Sequence, residues 1–177
     1  MMIKMLTRVQ NIFLATKNIE ETSRKFSKFF KGNPNFEGSS ENLGIHITVF
    51  GLDKTNICLI SPKNSGIWYE PLANFLKEKG EGIFGLNFSS DDIDSDYNNS
   101  KINDLKVSSK FNSTFQGNTN DTIDFNFFNI ENESVINLNI SISNEINFLS
   151  KRAVSYTHLR AHETREDRVW RVVLEKK

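Results

Sequence analysis

Cysteine is almost absent from this chain. Cys58 stands alone among 177 residues, so no internal disulfide can form and a reducing, cytoplasmic setting is the expectation. Neither sign of charge is in excess: 22 Lys and Arg face 22 Asp and Glu, which gives no electrostatic ground for binding nucleic acid. No apolar run approaches the length that crosses a membrane, and the residues before Val9 are too few and too polar for a signal peptide. Histidine is scarce as well, with three in all. What the chain has instead is phenylalanine, fifteen of them, among many Ile, Asn, Lys and Ser. The Asn richness fits an AT-rich coding sequence, so it is no functional signal by itself. The length suits one domain, or two small fused modules, burying roughly two-thirds of the unfolded surface.

A repeat organises the chain. From Gly80 to Asp94 the order is a helix-ending glycine, a strand alternating through Phe84, Leu86 and Phe88, then Ser-Ser-Asp-Asp as strand stop and helix cap. The same order opens the chain: an apolar strand at 9–15, then Asn18 as N-cap with Glu21 three residues on in capping-box position. Two such openings about seventy residues apart point to two copies of one module.

Taken in order, Ile19, Thr22, Phe26, Phe29 and Phe30 form the buried face of a first helix that Gly32-Asn33-Pro34 ends. A weak strand near Phe36 and a hairpin at 44–50 and 55–61 follow, and Pro62 breaks the sheet. A short helix over 70–79 buries Leu72, Phe75 and Leu76. The second module then reads as a strand at 83–89, a weak helix at 93–105, and strands at 106–116, 122–130 and 134–143. The expectation is an α+β fold of two tandem βαβββ modules, at 1–66 and 81–152, with an inter-module helix at 67–80.

The end of the chain reads differently. Val154 to Thr164, Val-Ser-Tyr-Thr-His-Leu-Arg-Ala-His-Glu-Thr, resembles one frame of a sequencing-library transposase adapter, so 153–177 is set aside as an adapter artefact. This matters because His158 and His162, one helical turn apart with Glu163 beside them, mimic a zinc helix. Up to Arg152 the chain carries sixteen basic and eighteen acidic residues, a net charge of minus two.

The doubled βαβββ plan, the Pro62 loop, Gly80-Glu81-Gly82 and Asp91-Asp92-Ile93-Asp94 resemble the vicinal oxygen chelate superfamily. That group includes glyoxalase I, bleomycin-resistance proteins, extradiol dioxygenases and methylmalonyl-CoA epimerase. The stretch from Asn56-Ile57-Cys58-Leu59-Ile60-Ser61-Pro62 to Asp94 is most like the glyoxalase-like and epimerase-like branch. The resemblance implies a U-shaped mixed sheet around a funnel, with four inward residues binding a divalent ion that polarises a substrate oxygen. Those positions fall on Asn11, Cys58, Gly85 and Asn137, none of which is an ordinary ligand for such an ion. The expectation is therefore a member without the chelate and without a cofactor, binding a small organic molecule, with a homodimer as an assembly the family permits. The alternative is a metal-dependent lyase, epimerase or dioxygenase using other ligands, such as His46 with Glu41 or Glu131.

Period-two alternation places Asn11 and Phe13, Asn56 and Cys58, Gly85 and Asn87, and Asn137 and Asn139 on the funnel wall, a neutral, amide-rich lining suited to hydrogen bonding. His46 joins them as a candidate general base, against the plainer reading of a sheet residue. Cys58 reads as a small buried residue before a nucleophile, Asp91, Asp92 and Asp94 as helix caps before an acid cluster, and Trp68 as a packed hinge before a gate.

Overall fold

The computed structural model describes residues 8–131 and 138–148. Asn137 and the segment 153–177 lie outside them, as does the start of the last expected strand.

Two copies of one plan are present. In the first, β1 (Arg8–Ala15) leads to α1 (Ile19–Phe30), then β2 (Phe36–Ser40), β3 (Ile45–Gly51) and β4 (Asn56–Pro62). After α2 (Tyr69–Glu78), the second runs β5 (Gly82–Ser90), α3 (Ile93–Ile102), β6 (Phe111–Gly117), β7 (Thr122–Ile130) and β8 (Asn139–Asn144). In each, the first strand pairs in parallel with the fourth, and the fourth, third and second follow in antiparallel order.

The modules meet along β1 and β5, which pair antiparallel. Beyond the expected U, the free edges also join: Gly38 and Ser39 of β2 pair with Gly117 and Gln116 of β6, closing the barrel β1-β4-β3-β2-β6-β7-β8-β5. This seam needs a bare backbone, because a Cβ at Gly38 would stand 2.1 Å from the Gln116 carbonyl oxygen.

The helices start where side chains cap them. Asn18 Oδ1 accepts from the Glu21 amide (3.0 Å), and Asp92 Oδ1 accepts from the Ser95 amide (3.0 Å). The capping box is not completed, because Glu21 pairs instead with Lys25 one turn on. On α1, Phe26 and Phe30 pack against Phe50 of β3, but Phe29 is 79% exposed and touches Phe30 edge-on. It sits on the flank of the apolar stripe and not at its centre. The third helix stops three residues short of the expected Leu105, where Asp104 takes a left-handed turn (φ 57°), and β6 begins only at Phe111. Val107 contributes an isolated bridge to Ile130.

Inside the barrel the core is filled. Phe13, Ile47, Val49, Cys58, Ile60, Phe115, Phe125 and Phe127 are all buried on the inward face. Trp68, from the loop before α2, inserts between the halves, its ring 5.1 Å from that of Phe13 and 6.0 Å from those of Phe84 and Phe127. It packs as a plug, in line with the hinge reading.

Candidate functional site

Glu81, in the middle of Gly80-Glu81-Gly82, ties the modules together. One carboxylate oxygen accepts from the Thr16 hydroxyl (2.7 Å) and the Lys17 amide (2.8 Å), at the turn between β1 and α1. These bonds favour the ionised form and hold the Glu81 pKa below the usual carboxylate value. The motif is an inter-module clasp.

The inward amides of β4, β1 and β5 and the serine hydroxyls of β8 form one ladder across four adjacent strands. Register places Asn56 and Asn87 on either side of Asn11, and Ser141 beside Asn87. Cross-strand neighbours on one face can then bond directly. Asn56 Nδ2 donates to Asn11 Oδ1 (2.9 Å), and Asn11 Nδ2 donates to Asn87 Oδ1 (2.9 Å). Asn87 Nδ2 donates to the Ser141 and Ser143 hydroxyls, each at 3.1 Å. The Cys58 thiol adds a longer contact to Asn11 Oδ1 (3.7 Å). All of these groups are buried, and among the described residues no buried side-chain nitrogen or oxygen lacks a partner.

The predicted wall residues divide into three groups. Asn11, Asn56, Cys58 and Asn87 converge in the ladder, and Phe13 is buried beside them, against Trp68. Gly85 lies next to Phe13 and Asn139 in register, where a Cβ would come within 2.6 Å of the Asn139 carbonyl oxygen. Its lack of a side chain is a packing requirement. Asn139 is exposed, donating from Nδ2 to the Phe84 carbonyl (3.2 Å).

His46 does not line the interior. It alternates with buried Ile45 and Ile47 on β3 and is exposed on the outer face, so the expectation of a funnel histidine is corrected by the two-residue period of the strand. Glu41, its suggested partner, is paired with Lys63. Phe84, at the register shift between Phe13 and Leu14, is buried against Trp68 and under α2, where its ring meets that of Phe75. Ser141 and Ser143 complete the ladder. Both lie on β8 two residues apart, on the face that turns toward Asn87.

The donor set does not suit a divalent ion. Asn11 Oδ1 and Asn87 Oδ1 already accept hydrogen bonds, Gly85 offers no donor atom, and the ladder carries no charge. Burial pushes the Cys58 pKa well above its ordinary value, so the thiolate that metals require is disfavoured. Among the described residues, no three His, Cys, Asp or Glu side chains come together around one point.

Neither family models nor curated proteins match this chain. Solved structures do. Methylmalonyl-CoA epimerase from Mycobacterium tuberculosis superposes with a TM-score of 0.65 at 17% identity, covering 86% of this chain and 97% of that one. A Streptomyces coelicolor methylmalonyl-CoA epimerase variant in complex with 2-nitronate-propionyl-CoA gives 0.64 at 13% identity, covering 80% and 96%. A hypothetical protein from Bacillus halodurans gives 0.61 at 15% identity, covering 84% and 98%.

Proposed function

We propose that this chain, built on the vicinal oxygen chelate fold that it shares with methylmalonyl-CoA epimerase, is a metal-independent binding protein for a small organic molecule. The ladder of Asn56, Asn11, Asn87, Ser141 and Ser143 carries this reading. It puts neutral, mutually bonded groups at the inward positions of the four central strands, where a Lewis-acid centre would need charged or imidazole donors. With that face bonded to itself and packed, recognition rests on shape and hydrogen bonds at an end of the barrel, where Asn139 is accessible. The solved neighbours lend support, since one Streptomyces coelicolor epimerase structure holds 2-nitronate-propionyl-CoA and another epimerase structure holds methylmalonyl-CoA.

We propose a reducing compartment, the cytoplasm, as its setting, since one cysteine leaves no internal disulfide to form. No helix among the described residues is long and apolar enough to cross a membrane.

A ligand-observed NMR screen of small organic fragments, run in parallel with excess EDTA and with Mn²⁺, tests the reading. Binding that is the same under both conditions supports it. Binding abolished by EDTA and restored by Mn²⁺ overturns it.

A further inference from the structure

One cavity combines room, aromatic surface and polar groups that have no partner among the described residues. It lies where β5 and β8 begin and β7 finishes, against α2, and has a volume of about 440 Å³, within the roughly 300–1,000 Å³ of small-molecule sites. Phe75 supplies its aromatic surface, backed by the buried Phe84 ring edge to face at 5.6 Å. The Lys79 ammonium lies 5.6 Å from the Phe75 ring centroid, so this ring is already a seat for a cation.

The polar lining favours the same kind of guest. Glu78 and Glu131 border the cavity with no ion pair among the described residues, and they outnumber the single positive charge of Lys79. The Asn74 and Asn129 side chains make no hydrogen bond among the described residues, and Asn139 uses only its Nδ2, on the Phe84 carbonyl. Amide oxygens are therefore available to accept from N–H groups, with acidic charge beside them and an aromatic face below.

We infer that this cavity binds a small planar organic cation bearing N–H donors: its ring lies over Phe75 in place of Lys79, its N–H groups donate to the Asn129 and Asn139 side-chain oxygens, and Glu78 and Glu131 hold its charge. The inference rests on the reading of the chain as a small-molecule binder and names the ligand class and the place.

Benzamidine, benzamide and benzoate are near-isosteric probes that are cationic, neutral and anionic. Each is titrated into the full chain at low ionic strength, following the side-chain amide signals of Asn74, Asn129 and Asn139 by NMR. Benzamidine is expected to shift these signals saturably and to bind roughly three- to tenfold tighter than benzamide, with benzoate weaker still. Glu78→Gln and Glu131→Gln, both at the surface, are each expected to reduce that preference about two- to fivefold. Benzamide binding as tightly as benzamidine, with shifts at the same residues, overturns the ligand class. Benzamidine shifts confined to other residues overturn the place. Silence from all three probes while other fragments bind overturns the inference alone. Silence from every fragment sinks the small-molecule reading with it.

Discussion

Replacing Asn11 by leucine probes the ladder at its middle rung. The side chain is fully buried, accepts from Asn56 Nδ2 and the Cys58 thiol, and donates to Asn87 Oδ1. Leucine keeps the branched four-atom skeleton with bulkier methyl ends, so no cavity opens and the cost falls on the groups left behind. Leaving Asn56 Nδ2 without this acceptor costs about 1–3 kcal/mol, Asn87 Oδ1 loses one bond worth about 1 kcal/mol while keeping the Ser143 hydroxyl as a donor, and the added apolar burial returns about 1 kcal/mol. The net loss is about 1–3 kcal/mol, or about 2–12 °C in Tm for a chain of this size. Urea denaturation followed by circular dichroism reads it directly. A second arm checks the cause: Asn11→Leu combined with Asn56→Leu removes both ends of one bond. The double variant is then expected to be more stable than the sum of the single losses by about 1 kcal/mol. A single variant within about 0.5 kcal/mol of the parent, or strictly additive losses, would refute the claim that these amides depend on one another.

Two further predictions concern the joints of the barrel. Gly38→Ala drives a methyl group into the Gln116 carbonyl at the β2–β6 seam, and is expected to cost about 1–3 kcal/mol and to speed amide exchange at Gln116. Unchanged stability and exchange would show that the seam adds nothing. Glu81→Gln tests the clasp through pH. A carboxyl whose folded pKa is depressed contributes stability above its ordinary value, near 4.3, and loses it as pH falls through the folded value. Parent and variant urea midpoints should therefore differ at neutral pH and converge under acid conditions below about pH 4. A gap that persists unchanged into acid would contradict the carboxylate's role.

Much of the architecture was legible in the sequence, because the signals were local. Asn18 and Asp92 cap helices by geometry that three residues specify, and alternation marks each strand regardless of its neighbours. The doubled plan followed from those same signals occurring twice. What escaped was set by pairing between distant strands. Closure through Gly38 and Gln116 depends on two edges meeting across seventy-eight positions of sequence, and no local pattern encodes it.

The site shows the same division. Asn11, Asn56 and Asn87 were recognisable as inward amides, yet their union into one ladder needed the β1–β5 register, which contains two shifts. Resemblance placed the second-module ligand position on Gly85, whereas the side chain opposite Asn11 is that of Asn87, two residues on. His46 attracted notice as a rare residue type, but its strand parity sends it outward. Rarity in composition says little about direction, and direction is what a site requires.

The most direct test titrates Mn²⁺ into the protein and follows the side-chain amide NMR signals of Asn11, Asn56 and Asn87, which a bound paramagnetic ion would broaden first. The account predicts that all three stay sharp at stoichiometric Mn²⁺. Selective loss of these three signals, reversed by EDTA, would place an ion in the ladder and contradict it.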